Sequence, residues 1–382
     1  MQISRKELYR WCEDHFDEQV QLLKVLAAIP APSHHEHKRT EYIRNWLLSA
    51  GADTVIMDAA QNVVVPLSKE MDIPYLLCMA HMDVVFPDMD PLPVSEENGR
   101  LYAPGAGDDT ANVVAMMLTI KFLLAHPGIC NRPVLFVFDS CEEGLGNLKG
   151  VRQIMEDYSG KIDEMVSFDL QSDSIITRAV GSERWHVSVS VKGGHSYGDF
   201  GSANAISRMS ELICMLYQQP VPYKEDSKTT FNVGTISGGT SVNSIAQNAI
   251  MTYEYRSDNV ECLTVMRNQF WGILKNAESA DAVFSVESIG TRPCGHNISH
   301  EKHVNLIKKC SDAISAVYPI APVQCSGSTD ANIPLSLGIP AVTFGLYRGG
   351  GAHTRQEYVE LDSLTPGLKI ALHFLLSENI AD

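Results

Sequence analysis

His81-Met82-Asp83 closes the apolar run YLLCMA and sets an imidazole two residues from a carboxylate. A neutral imidazole is a good zinc ligand, and a nearby carboxylate can fix its tautomer and raise its basicity. Gly105-Ala106-Gly107-Asp108-Asp109-Thr110 then places two adjacent carboxylates behind glycines that let the backbone bend sharply. Cys141-Glu142-Glu143-Gly144 follows the apolar run PVLFVFDS. Two neighbouring carboxylates at the end of a buried strand are costly without cations or a shared proton. One of them can ligate a metal while the other faces a substrate water. Asp169 in SFDL and His353 in Gly349-Gly350-Gly351-Ala352-His353 complete the set. Each motif alone also has a structural reading: a capping His with a turn Asp, helix-capping carboxylates, a solvated loop, a buried Asp with its partner. Taken together, carboxylates and imidazoles without thiolate suit a catalytic rather than a structural zinc site. Two ions about 3.5–4 Å apart need one shared carboxylate and further ligands for each. His81 and Asp169 would hold one ion, Glu143 and His353 the other, and Asp108 would bridge.

These residues need rigid elements behind them. In open α/β sheets ligands bind at the carboxyl ends of strands. The segments YLLCMAH, PVLFVFDS and MVSFDL read as buried strands that end on His81, on the Glu142-Glu143 pair and on Asp169. Helices are expected over residues 5–28, 36–50, 111–125, 304–317 and 364–377, with further strands at 323–325 and at PAVTFGL. Apolar strands spaced by helices predict an α/β domain with a mixed, mostly parallel sheet covered on both faces. The texture changes near Ser174. WHVSVSVKG alternates as a half-exposed strand does. It opens a β-α-β-β-α-β series through helices at 203–217 and 260–277, a ferredoxin-like α+β arrangement. The expected organisation is a di-metal domain from residues 1–178 and 290–382, interrupted by an inserted lid or dimerisation domain at 179–289.

Bulk properties agree. A chain of 382 residues exceeds what one core usually serves. Its 45% apolar and 20% charged residues are ordinary for a globular protein, and no apolar run reaches the length that spans a bilayer. A net charge of −16 without a Lys/Arg-rich stretch excludes a nucleic-acid footprint. Nine scattered cysteines, with no CxxC pair, read as reduced thiols. The charged N-terminus lacks the apolar core of a signal peptide, so a cytoplasmic location is expected.

The motif set resembles that of the zinc-dependent aminoacylase–carboxypeptidase family, which includes tripeptidase T, acetylornithine deacetylase, succinyl-diaminopimelate desuccinylase and glutamate carboxypeptidase. The resemblance spans essentially the whole chain. It rests on His81 and Asp83, on Gly105-x-Gly107-Asp108, on Glu142-Glu143-Gly144, on Asp169 and on His353. Thr110 stands where the family usually has Lys, and the Gly after the Glu pair comes one place early. The family's spacing favours Asp108 over Asp109 as the bridge.

The resemblance implies a co-catalytic two-zinc hydrolase with Glu142 as general base and Asp83 orienting His81. Cobalt or manganese can share such ligands. It further implies that His195, in Gly193-Gly194-His195, helps stabilise the oxyanion, in some relatives across a dimer. Asn243, in Gly238-Gly239-Thr240-Ser241-Val242-Asn243, is implied to contact substrate, and Arg256 in YEYRS to bind a substrate carboxylate. Short peptides are the favoured substrates, because GAGDD and the run of the chain stand closest to tripeptidase T. N-acyl amino acids are the alternative, and a non-catalytic binding protein that kept the fold is a third reading. A homodimer through the inserted domain is implied; nucleic acid and membrane are not. The His34/His35/His37 tract reads as solvated. His296, His300 and His303 lack acidic partners, and the Ser326–Asn332 stretch lacks a nucleophile elbow but offers a substrate-side role.

Overall fold

The computed structural model describes residues 2–67 and 73–381. The chain forms two compact units, Met1–Ala179 with His296–Asp382, and Val180–Gly295.

The first unit is built on an eight-stranded mixed sheet. Its order is Val323–Gly327, Ser174–Ala179, Ala341–Phe344, Ile162–Phe168, Tyr75–His81, Val134–Asp139, Val63–Leu67 and Ile56–Met57. The pairs flanking Tyr75–His81 are parallel, as is Ala341–Phe344 on Ile162–Phe168. Antiparallel pairs lie toward the edges. Tyr75–His81 and Val134–Asp139 are buried on both faces, which is why they read as unbroken apolar runs. The helix Asn112–Ala125 is buried on nearly every side. It packs between the helices Leu364–Leu376 and Phe16–Ala28 and the strand Tyr75–His81, so its sequence is apolar all round. The expected mixed, mostly parallel α/β sheet is therefore present.

Two local expectations differ. The first helix is two, Arg5–Asp14 and Phe16–Ala28. His15 breaks it by stacking on Trp11 and bonding the Trp11 carbonyl through Nδ1 at 2.8 Å. The helix expected from Ala111 begins at Asn112, because Ala106–Ala111 forms a wide turn in which Asp108 and Asp109 leave helical backbone angles. A small sheet of Ser95–Glu97, Arg100–Tyr102, Tyr358–Glu360 and Gly349–Gly350 had no sequence signal, since such short strands carry no periodicity.

In the second unit, the strands Gly181–Ser190, Thr229–Gly238, Asn248–Ser257 and Val283–Arg292 form an antiparallel sheet. The helices Ala205–Tyr217 and Val260–Ala277 cover one face, over a core that includes Val187, Met209, Tyr253 and Phe270. Chain order is β-α-β-β-α-β, the ferredoxin-like plan.

Candidate metal centre

Three adjacent parallel strands bring their carboxyl ends to one edge of the large sheet. His81 is the last residue of Tyr75–His81 and pairs with Asp139 of the neighbouring strand. Glu142 and Glu143 follow Val134–Asp139, and Asp169 directly follows Ile162–Phe168. Asp108 and His353 arrive on loops. Asp108 Oδ1 lies 3.1 Å from His81 Nε2, and Oδ2 lies 3.1 Å from His353 Nε2. His353 Nε2 is also 3.1 Å from Glu143 Oε1. Two groups of possible ligand atoms result, each within 4.8 Å: His81, Asp108 and Asp169, and Asp108, Glu143 and His353. Asp108 belongs to both. The five residues proposed as ligands from the sequence thus converge, on elements far apart in the chain.

Several residues that the sequence did not single out hold them there. Glu357 accepts hydrogen bonds from the N–H groups of Gly105, Gly107 and Asp108 at 2.9, 2.8 and 2.7 Å. The turn that carries Asp108 is therefore fixed by a carboxylate four residues beyond His353. A Cβ on Gly107 would stand 2.4 Å from the Tyr347 hydroxyl, which explains the glycine there. The Asp108–Asp109 peptide is cis. Asp109 turns inward, accepting from the His81 N–H at 3.0 Å and from Asn112 Nδ2 at 2.6 Å. Asp83 does more than face His81. Its two oxygens accept the N–H groups of Glu142 and Glu143 at 3.0 Å each, and Oδ2 also accepts Ser33 Oγ at 2.6 Å. His81 Nδ1 is closer to the Asp83 carbonyl, at 3.0 Å, than to its carboxylate, at 3.5 Å. Glu36 Oε1 accepts from the N–H groups of His34 and Cys141 and from Cys141 Sγ. Glu142 itself is 5% exposed.

Thr110, where the family usually has Lys, donates to the Gly105 carbonyl at 2.5 Å and accepts from Arg39 Nη1 at 3.1 Å. Arg39 is fully buried and also holds the carbonyls of Ile29 and Met82. Burial lowers its pKa to about 10, against the pull of Asp83 and Glu357. The site's internal cation thus comes from the third helix, His37–Ser49, rather than from position 110. Arg39→Met should cost about 3 kcal/mol, because it leaves the buried carbonyls of Ile29 and Met82 and the Thr110 hydroxyl without their donor. Urea unfolding at constant m would measure it; a loss under about 1 kcal/mol would deny Arg39 this role.

Burial and crowding dominate the electrostatics. Burial, then the charges of Asp108 and Glu143, push the Asp169 carboxyl up to about 7. Burial likewise raises Glu357 to about 7, in spite of its three N–H partners. Burial pushes Asp108 up as well, but the His353 and His81 imidazoles outweigh it and hold Asp108 low. His353 rises to about 10 through Asp108 and Glu143. Burial opposes charge on His81, yet Asp109, Asp108 and Asp83 raise it well above the ordinary value. So many buried carboxylates call for cations. The donors are imidazole nitrogens and carboxylate oxygens, the set that suits divalent zinc and similar ions. Cys141 is no rival ligand, since burial and Glu36 push its thiol up to about 12. The residues present therefore fit two divalent ions that share Asp108.

These shifts carry a pH dependence. Asp169 and Glu357 keep their protons to about pH 7 in the fold but lose them near pH 4 when unfolded. Between those values the folded chain binds more protons, so stability falls as pH rises. His353 extends the fall from about pH 6.5 toward 10. Metal-free protein should melt at steadily lower temperature from about pH 5 to about pH 8, and bound metal should flatten that slope by replacing the protons. Parallel thermal melts of chelated and metal-loaded protein test this; a flat metal-free profile would contradict it.

In the second unit, His195 lies in a short strand paired with Ser244–Ile245. Its Nδ1 accepts from the N–H groups of Tyr197 and Gly198 at 3.2 and 3.3 Å. In the neutral ring the proton then sits on Nε2, which makes that atom a donor. The Asn243 carbonyl accepts the Ser196 N–H at 3.0 Å, so the two exposed motifs adjoin. Arg256 lies apart from them on the sheet and pairs with Glu254. Of the weaker candidates, His34 Nδ1 is 3.3 Å from Cys141 Sγ, and His303 bonds the Thr177 carbonyl. Asp330, in the Ser326–Asn332 stretch, is buried against Asp139, whose carboxyl is raised by burial and by Asp330.

The model for peptidase family M20/M25/M40 matches residues 77–377. The chain belongs to that family. A Mycobacterium tuberculosis protein that bears the name of a succinyl-diaminopimelate desuccinylase, DapE, is 24% identical over 366 residues, 93% of this chain and 97% of its own. Among solved structures, a tripeptidase of Staphylococcus aureus superposes with a TM-score of 0.77 at 20% identity, over 95% of this chain and 98% of its own. The YXEP protein of Bacillus subtilis, described as a dinuclear metal binding peptidase from the M20 family, gives 0.65 at 16% identity, over 96% and 99%. Structures this distant in sequence share the fold. As a member of the M20/M25/M40 family, the chain is a hydrolytic metallo-enzyme with a metal-binding group at the sheet's carboxyl edge. No helix among the described residues is long and apolar enough to cross a membrane.

Proposed function

We propose that this M20/M25/M40 enzyme hydrolyses the amide bonds of short peptides at a two-zinc centre, with Glu142 as general base. The observation that carries this reading is Asp108, which reaches both imidazoles from one carboxylate and belongs to both ligand groups. Two zinc ions held by His81, Asp108, Asp169, Glu143 and His353 would supply Lewis acidity and lower the pKa of bound water toward about 7. Glu142 takes a proton from the attacking water and delivers it to the leaving amine. Asp83 holds Glu142 and Glu143 through their backbone N–H groups, so the base and a ligand keep a fixed spacing. His195 donates from Nε2 to the oxyanion, Asn243 contacts the substrate, and Arg256 binds its carboxylate; these three roles rest on the family resemblance. The same resemblance supports a homodimer through the inserted unit.

The second reading is an N-acyl-amino-acid deacylase, favoured by the desuccinylase name of a relative that matches 93% of the chain. One panel separates the two: tripeptides and dipeptides against N-acetyl and N-succinyl amino acids, each with added zinc, cobalt or manganese. Release of free amino acids from peptides at higher kcat/KM supports the peptidase reading. Faster release of acetate or succinate replaces it with the deacylase.

A further inference from the structure

On a β-strand successive side chains alternate between faces, and residues paired directly across strands share a face. In the second unit, Trp185, Val187 and Val189 pack on the helices, so Arg184 stands on the opposite, outer face. Tyr253 and Tyr255 belong to the core, which sends Glu254 and Arg256 to the outer face as well. Register then assembles them: Arg184 pairs with Glu254, and Ser182 pairs with both Arg256 and Arg292.

Glu254 is the carboxylate at the middle of this cluster. It holds Arg256 by two parallel bonds, Nε to Oε1 and Nη2 to Oε2, at 3.0 Å each. This fork is the geometry that a ligand carboxylate would use on the same guanidinium. Glu254 Oε2 also lies 3.4 Å from Arg184 Nε. At Arg184, burial and then the charges of Arg292 and Arg256 lower the pKa, while the charge and the hydrogen bond of Glu254 raise it. Three arginines, Arg184, Arg256 and Arg292, thus gather by register on this face although the whole chain carries −16. A carboxylate that leaves Arg256 keeps a cationic neighbour within reach.

We propose that Glu254 is a specificity-determining residue: it occupies Arg256 as a resident counter-ion, and a substrate carboxylate binds by displacing it onto Arg184. This rests on the reading that Arg256 receives a substrate carboxylate. The exchange swaps one fork for another, so it weakens binding of every free-acid substrate by the strength of the pair it breaks, less what Glu254 regains on Arg184. A substrate whose terminus is an uncharged amide does not displace Glu254 and is not affected by it. Arg184 acts at one remove, as the group that receives Glu254.

The test uses trialanine or N-acetylmethionine, whichever the enzyme turns over, and the matching C-terminal amide. Glu254→Gln should raise the preference in kcat/KM for free acid over amide by about fivefold, the upper size of one partly exposed charge pair. Arg184→Met, which removes the receiving group, should lower that preference by about the same factor. A preference unchanged within about twofold in both variants, or one that falls in Glu254→Gln or rises in Arg184→Met, overturns the proposal. Should either variant fail to fold, the other still decides. Arg256→Met separates the two levels. If it leaves the preference intact, the assignment of Arg256 to substrate is wrong. If it abolishes the preference while the other two variants do nothing, only the exchange through Glu254 is wrong.

Discussion

Glu142→Gln is expected to lower kcat by at least about 10²–10⁴-fold while the protein keeps its full metal content. Glu142 is outside both ligand groups, yet its backbone N–H is fixed to Asp83 and its side chain is buried beside Glu143. The amide has nearly the shape of the carboxylate but cannot accept the water's proton. Metal analysis of the purified variant, beside a full progress curve, separates the roles. Loss of activity together with loss of metal would make Glu142 a ligand. Retained activity would move the base elsewhere.

Asp108→Asn should lower the affinity for both ions, each by at least about 100-fold, since even partners of ligands commonly contribute 10–100-fold. The reason is geometric. Asp108 Oδ1 serves the His81 side and Oδ2 the His353 side, so one substitution touches both groups. By contrast, Asp169→Asn should weaken only the His81 side. Titration with zinc, followed by competition with a chelator of known affinity, gives both numbers. An Asp108→Asn protein that still binds one ion at wild-type affinity would show that the carboxylate does not bridge.

Much of the site was legible because its residues end elements with strong patterns. YLLCMAH, PVLFVFDS and MVSFDL are strands buried on both faces, so their apolar runs stop where the chain reaches the sheet edge. His81, Glu142-Glu143 and Asp169 stand at those stops. The alternation in WHVSVSVKG revealed the second sheet for the same reason, since one of its faces is solvated. What stayed hidden has no such periodicity. Glu357 looks like any polar loop residue until it is seen to hold three N–H groups of the Asp108 turn. Arg39, on an amphipathic helix, reads as a surface charge, yet it is wholly buried beneath that turn. Asp83 was expected to orient His81, and its larger task, pinning the backbone of Glu142 and Glu143, depends on contacts across about sixty residues.

The sequence by itself determined the fold class and the candidate ligand types, because both follow from local composition: apolar runs, their periods, and imidazoles and carboxylates without thiolates. Only the tertiary structure decided which carboxylates meet. Asp108 and Asp109 are equivalent as letters. The wide turn between Gly105 and Asn112, held by Glu357 and Arg39, points one at two imidazoles and buries the other against the His81 N–H. That choice depends on hydrogen bonds between distant segments, whose free energy exists only once the chain has brought them together.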